Sequence, residues 1–390
     1  MSFDLDSSFN FFPIPTDLHF GHGALAKLPE QVRVSGGNRV LVVTDDGVRK
    51  AGVVDRAQEF LLAAGLGVSI YDGVQADSGS ELITEATRQL TETGSDIVVG
   101  IGGGSSLDTA KAVAVLAANG GAITDYVGLG KAKKKPLPVI AIPTTAGTGS
   151  EVSLWSVFTD DSRALKVAIG GFSIYPVVAI CDPELTIPLS PSITAATGMD
   201  ALTHAIECYT NKACQPISGA LALKAIELIG RYLRSAVLNG VDRKARFGML
   251  LASTMAGMAM NPTRLGLAHA LAMPLGSWKL RVPHGVANAI TLPIVMKFNC
   301  LARPDRFLDV AKALGEQVDH LPLQEAAFQA CEAVEHLIED VGIPKGLGHF
   351  GVKAEHISVI VDEAMKSGNV LVNPRRTSAE DLAEILHQAL

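Results

Sequence analysis

Four short aliphatic runs set the strongest limit on what this chain can fold into. They are Arg39-Val40-Leu41-Val42-Val43-Thr44, Gly67-Val68-Ser69-Ile70-Tyr71, Asp96-Ile97-Val98-Val99-Gly100-Ile101 and Pro138-Val139-Ile140-Ala141-Ile142. Unbroken apolar runs of this length suit strands buried on both faces of a parallel sheet. Helical periodicity lies between them, over 48–64 and 80–92. Strands alternating with helices imply βαβ units. The alternation stops after Cys181-Asp182-Pro183-Glu184-Leu185. From about 190 the pattern is helix after helix, over 193–211, 216–238, 242–261, 265–276, 285–300, 323–341 and 378–389. The expected architecture is an α/β N-terminal domain with a parallel sheet, residues 1–185, followed by an all-helical domain, residues 186–390. A chain of 390 residues is long enough to give each its own core.

The third run leads into Gly102-Gly103-Gly104-Ser105-Ser106-Leu107-Asp108, and a helix is predicted from Thr109 to about Ala118. Successive glycines let backbone N–H groups approach an anion, because no Cβ intervenes. A helix start adds unpaired N–H donors and a positive dipole end. Together they form a pyrophosphate cradle, although the GxGxxG fingerprint is absent and a tight turn that binds nothing is the alternative. A second polar loop, Pro143-Thr144-Thr145-Ala146-Gly147-Thr148-Gly149-Ser150-Glu151, follows the fourth run. Its hydroxyls can wrap a phosphate or ribose, or simply bond the local backbone. In open α/β sheets ligands bind at the carboxyl ends of the strands, which is where both loops fall. Asp45 ends the first strand. A carboxylate there accepts bonds from an adenosine ribose and repels a 2′-phosphate; the alternative is a turn-forming Asp.

The helical half holds a different chemistry. Asp200 and His204 are four apart and share a helix face. His269 and His284 lie in other apolar segments, the second within Pro283-His284-Gly285. One carboxylate and three imidazoles suit Fe²⁺, Zn²⁺, Mn²⁺ or Co²⁺. The spacing alone leaves satisfied core histidines as the alternative. The remaining histidines, including His320, His336, His349, His356 and His387, lie in polar or terminal contexts and receive no role.

Charge and composition exclude several partners. A net charge of −7 offers no basic surplus for nucleic acid or an acidic membrane surface. The sequence shows no apolar run of the roughly 20 residues that span a bilayer, and its acidic start does not read as a signal peptide. Five scattered cysteines with no CxxC fit reduced thiols in a cytoplasm. Cys208 and Cys214 read as small buried hydrophobes rather than zinc ligands.

These motifs, with Thr109-Ala110-Lys111 after the glycine turn, Ala195-Ala196-Thr197-Gly198-Met199-Asp200-Ala201-Leu202-Thr203-His204-Ala205-Ile206-Glu207 and Pro283-His284-Gly285-Val286-Ala287-Asn288-Ala289, resemble the iron-containing alcohol dehydrogenases, which share a fold with dehydroquinate synthase. The resemblance runs from about Phe20 to the C-terminal helix. It implies an NAD(P)-dependent oxidoreductase that interconverts an alcohol and an aldehyde or ketone, with the metal polarising the substrate oxygen. It implies Asp200, His204, His269 and His284 as the metal ligands through which catalysis runs. It implies Fe²⁺ first and Zn²⁺ second, and NAD with NADP as the alternative. For cofactor binding it implies Gly102, Gly103, Gly104, Ser105 and Asp108 at the pyrophosphate turn, Thr144, Thr145 and Thr148 around the cofactor, Lys166 as a cofactor-contacting lysine, and Asp45 as the acidic residue of NAD-preferring members. A homodimer or larger homo-oligomer is implied as well.

Two departures from the family pattern stand out. Met273 takes the place of a histidine thought to relay the alcohol proton, and a thioether cannot transfer one. Met260 replaces an aromatic, beside Arg264. Trp278, Lys279 and Arg281 lie in a slightly longer His269-to-His284 segment. Arg264 near the pocket would favour an acidic substrate; a surface position is the alternative. The competing functions are a metal-dependent lyase or cyclase of dehydroquinate synthase type, and a non-catalytic NAD-binding protein.

Overall fold

The computed structural model describes residues 14–277 and 280–390. They fall into two compact units that meet in sequence between Pro188 and Leu189, three residues beyond the boundary read from the sequence.

In the first unit, strands β1 (Asp17–Phe20), β2 (Arg39–Asp45), β3 (Gly67–Val74), β4 (Ile97–Gly102), β6 (Val139–Pro143) and β9 (Val178–Cys181) form a six-stranded sheet in the order β1-β9-β6-β4-β2-β3. Every pairing in it is parallel. The central strands β4 and β6 are buried at every position, as unbroken aliphatic runs require. Helices α1 (Leu28–Val34), α2 (Asp46–Lys50), α3 (Val53–Ala63), α4 (Ser80–Thr93) and α5 (Gly104–Asn119) connect the strands. One apolar cluster joins α3 with Val40, Val42, Val99 and Ile140, and another joins α4 and α5 with Leu41, Val43 and Val98. Burying each such side chain contributes about 1.5–3 kcal/mol.

The order contains a reversal. From β2 the chain goes outward to β3, then returns to β4 on β2's other side. The carboxyl ends of β2 and β4 therefore flank the crevice where open α/β sheets bind ligands. Register sets Val43 beside Gly100, and Gly102 beside Pro143. The ends of β2, β4 and β6 are thus level.

Three expectations are corrected. The predicted 48–64 helix is broken at Gly52, whose φ of 75° belongs to glycine. The helix predicted from Thr109 begins at Gly104, inside the glycine turn itself. The sheet content is not purely parallel: β7 (Trp155–Asp160) and β8 (Leu165–Gly170) pair antiparallel, and with β5 (Gly128–Leu129) form a second, three-stranded sheet. The hairpin mixes buried and half-buried residues, a weaker signal than an unbroken buried run.

The second unit is helical: α6 (Pro191–Thr210), α7 (Pro216–Leu238), α8 (Arg243–Thr263), α9 (Leu267–Leu275), α10 (His284–Asn299), α11 (Pro304–Leu314), α12 (Leu323–Asp340), α13 (Ile357–Ala364), α14 (Asn369–Val372) and α15 (Ala379–Ala389). Ser190 caps α6 and Pro191 opens it, a sharp start for the helix that carries the chemistry. The stretch His284–Ala302 is long and apolar enough by composition to cross a bilayer, contrary to the sequence reading. Here it is a core helix, packed against α6 and α9.

Candidate metal centre and nucleotide cradle

Helix α6 presents Asp200, His204 and Glu207 from one buried face, at intervals of four and three residues. Close helix approach brings the other candidate ligands to it. A Cβ on Gly285 would lie 2.2 Å from the Ala196 carbonyl oxygen, so only glycine lets the first turn of α10 rest on α6. His284 precedes that glycine. A Cβ on Gly266 would lie 2.7 Å from Glu207 Oε1, which similarly sets the start of α9 against α6. His269 sits in that first turn.

The result is a cluster in which Asp200 and His269 are buried and His284 is half-buried. Ligand atoms of Asp200, His269 and His284 all lie within 4.8 Å of one another. Asp200 Oδ1 is 3.6 Å from His269 Nε2 and 3.7 Å from His284 Nε2. His204, expected as a fourth ligand, is not part of that set. Its ring stacks on His269 with centroids 4.5 Å apart.

Glu207 received no role from the sequence, yet it fixes the geometry. Oε2 accepts from Gly266 N at 2.8 Å and faces His269 Nδ1 at 2.6 Å; Oε1 accepts from Ala268 N at 2.7 Å. The carboxylate therefore satisfies N–H groups at the start of α9 and places the His269 proton on Nδ1. In the neutral imidazole, the form that can bind a cation, the Nε2 lone pair then faces Asp200. Asn288, one turn along α10 from His284, is the second residue missed. Its Nδ2 lies 2.7 Å from Asp200 Oδ1, 3.1 Å from His269 Nε2 and 3.3 Å from His284 Nε2. Two signals pointed to this pair: Glu207 is seven residues from Asp200, Asn288 is four from His284, and both occupy buried helix faces.

Charge follows from this packing. Burial alone would lower the His269 pKa, but Glu207 and Asp200 outweigh it and raise it to about 9. Burial alone would raise the Asp200 pKa, yet His204, His284 and His269 hold it far below the usual carboxylate range. Lone pairs converging on one buried point, with a partner orienting one imidazole, fit a divalent cation.

The candidate nucleotide cradle lies in the first unit. Gly102 has φ 153°, and a Cβ there would sit 2.4 Å from Ser106 Oγ. A Cβ on Gly104 would sit 2.7 Å from Thr148 Cγ2, and one on Gly103 3.4 Å from Thr145 Cγ2. The bare glycine backbone thus packs directly under the threonine loop. Thr144 N donates to Gly102 O at 2.9 Å, while Thr144 Oγ1 is buried with no hydrogen-bond partner among the described residues. No side chain caps the first turn of α5. Uncapped N–H groups beneath a hydroxyl-rich loop fit a pyrophosphate.

The other expected cofactor residues divide. Asp45 Oδ1 accepts from Val48 N at 3.0 Å, capping α2, and Oδ2 accepts from Ser106 Oγ at 3.1 Å. It is both a turn former and a neighbour of the glycine turn. Lys166 Nζ is 2.6 Å from Asp77 Oδ1. Asp77, unremarked in the sequence, holds φ 56° and donates its N–H to Ser105 Oγ at 3.2 Å, which ties Lys166 to the turn. Asp108 faces inward instead. Its Oδ1 accepts from Ser150 Oγ at 2.5 Å and its Oδ2 from Val157 N at 3.0 Å. Asp108 fastens α5 to the loop and hairpin. Lys111 helps from full burial, donating to the carbonyls of Trp155 at 2.7 Å and Ser153 at 3.3 Å.

Residues 15–183 match the family described as iron-containing alcohol dehydrogenase, and residues 194–390 match the C-terminal region of the same family. The chain belongs to the iron-containing alcohol dehydrogenase family. The NAD-dependent methanol dehydrogenase of Bacillus methanolicus is 40% identical over 382 residues, covering 98% of this chain and 100% of the relative. The 1,3-propanediol dehydrogenase of Citrobacter freundii is 39% identical over 378 residues, covering 96% and 97%. A crystal structure of 1,3-propanediol oxidoreductase superposes with a TM-score of 0.96 at 38% identity, covering 98% of this chain and 100% of that one. This iron-type alcohol dehydrogenase is an oxidoreductase of alcohols and aldehydes, and the lyase and non-catalytic alternatives fall away. Its departures remain. Met273 is half-buried on α9, one turn past His269, and Arg264 is exposed rather than enclosed. Trp278 and Lys279 lie outside the described residues.

Proposed function

We propose that this dehydrogenase interconverts short-chain primary alcohols and their aldehydes with NAD, on a divalent metal held by Asp200, His269, His284 and His204. The converging set of buried Asp200, buried His269 and half-buried His284 carries the reading. When bound, the metal supplies Lewis-acid polarisation of the substrate oxygen. The nicotinamide supplies the hydride acceptor or donor.

The chain's own residues do the rest. In the neutral ring that would ligate, Glu207 holds the His269 proton on Nδ1 and leaves Nε2 for the metal, so metal binding releases a proton. The glycine turn and the Thr144–Thr148 loop take the pyrophosphate, and Lys166, oriented by Asp77, adds a positive charge beside the turn. Asp45 presents a carboxylate that disfavours a 2′-phosphate, which supports NAD over NADP. Met273 cannot take up a proton, so the alcohol proton leaves to water. Relatives named for methanol and 1,3-propanediol support small unbranched substrates, and the donor set supports iron first and zinc second. A cytoplasmic homo-oligomer completes the proposal, checked by light scattering of the purified protein.

The test is a substrate panel on protein reconstituted separately with Fe²⁺ and Zn²⁺, with NAD and with NADP, followed by absorbance of the reduced cofactor. His269→Ala is expected to lose metal and turnover together. A His269→Ala protein with full metal content and wild-type turnover would sink the assignment.

A further inference from the structure

The amide of Asn288 occupies the point on which the ligand set converges. Its Nδ2 is closer to Asp200 Oδ1, His269 Nε2 and His284 Nε2, at 2.7, 3.1 and 3.3 Å, than Asp200 Oδ1 is to either imidazole nitrogen, at 3.6 and 3.7 Å. An amide nitrogen has two protons and here three ligand atoms around it, so it cannot bond all of them at once. Its other end is also unsatisfied: Asn288 Oδ1 is buried and has no hydrogen-bond partner among the described residues, on a residue with no exposed surface. An orphaned buried acceptor is destabilising, because it has lost its hydrogen bond to water and gained none. Half a turn about the terminal torsion exchanges the two ends. With the oxygen turned inward, four acceptors face each other, an arrangement that only a cation makes favourable.

We propose that Asn288 belongs to the metal centre as a two-ended amide: its nitrogen ties Asp200, His269 and His284 together when no cation is present, and its oxygen turns into the coordination sphere when one is. The proposal rests on the metal reading above. It makes Asn288 a positioning residue for the ligands in one state and an oxygen donor in the other, and it gives the orphaned Oδ1 a partner.

The experiment titrates Co²⁺ into chelator-treated full-length protein, with calorimetry for affinity, the visible Co²⁺ spectrum for coordination, and thermal melts with and without metal. Wild type is measured first, and failure of wild type to bind Co²⁺ refutes the metal reading itself. Given wild-type binding, Asn288→Leu is expected to bind about 10–100-fold more weakly. Asn288→Asp, which has an oxygen at both ends, is expected to bind at least as tightly as wild type, with an altered spectrum. Its metal-free form is expected to melt below the wild type. The amide role is overturned if Asn288→Leu binds with wild-type affinity, or if Asn288→Asp binds more weakly than wild type. Should Asn288→Leu fail to fold, the comparison of Asn288→Asp with wild type decides alone.

Discussion

Replacing Glu207 by glutamine strikes the metal centre where it is most firmly fastened. The carboxylate meets three donors: Gly266 N at 2.8 Å, Ala268 N at 2.7 Å and His269 Nδ1 at 2.6 Å. Glutamine preserves the shape but has only one acceptor oxygen. Turned toward Gly266 and His269, it sets its own NH₂ against the Ala268 N–H. One buried donor is then orphaned, at about 1–3 kcal/mol, and loss of a charged acceptor weakens the bond to His269 by about 1 kcal/mol more. Metal-free Glu207→Gln is therefore expected to lose about 2–4 kcal/mol of stability, read by urea denaturation in chelator. A loosened His269 ring should lower Zn²⁺ affinity about 10–100-fold, read by calorimetry. The protonation of His269 reports the same change. Its pKa, raised to about 9 by Glu207 and Asp200 against burial, should fall, and fewer protons should be released on metal binding at about pH 8. If Glu207→Gln unfolds at the wild-type midpoint and binds Zn²⁺ with wild-type affinity, the orienting role is wrong.

Other outcomes follow from features already described. Gly104→Val places a side chain where even a Cβ lies 2.7 Å from Thr148 Cγ2, so NADH binding by fluorescence should be abolished while Zn²⁺ affinity stays at the wild-type value. Asp45→Ala removes the cap on Val48 N and the carboxylate together; stability should drop by about 0.5–2 kcal/mol in urea, and the kcat/KM ratio of NADP to NAD should rise. Metal-free protein should lose stability as pH rises. His269 has a folded pKa of about 9 against an ordinary 6.5, so its contribution is complete below 6.5 and vanishes as pH passes through 9. Asp200, held below its ordinary 3.8, contributes above that value and loses its contribution as pH falls, so melts should be highest between about pH 4 and 6.5. Arg264 holds φ 61° and ψ −173°, a region open essentially to glycine, so Arg264→Gly should stabilise the fold by about 1 kcal/mol in urea denaturation.

The sequence announced its elements best where burial was complete. Strands β2, β4 and β6 read clearly because both faces are covered, and most helices of the second unit read within one or two residues because their apolar stripes are long. The β7–β8 hairpin was missed because half-burial dilutes its pattern. The break at Gly52 and the early start of α5 were missed for a related reason: a glycine's conformation depends on what packs against it, and spacing does not record that. At the site, helical periodicity grouped Asp200 with His204, but distance removes His204 from the closest set. Glu207 and Asn288 carried the same periodicity and went unassigned, since a buried Glu or Asn has no spacing signature that separates a scaffold from a support. Asp77 left no trace at all, because its role depends on a left-handed backbone conformation and on Ser105 and Lys166 arriving from helix α5 and strand β8.

Helix α6 sets Asp200, His204 and Glu207 on one face at intervals of four and three. That makes the centre sensitive to angular phase. One residue inserted between Asp200 and Glu207 would rotate everything downstream by about 100° and send Glu207 away from α9, although no named residue had changed. The same insertion in the short connection between α7 and α8 would leave every ligand in place. Length variation among proteins built this way should therefore be absent between Asp200 and Glu207 and concentrated in such connections, so that the metal centre is preserved as a rhythm of residues as much as by their identity.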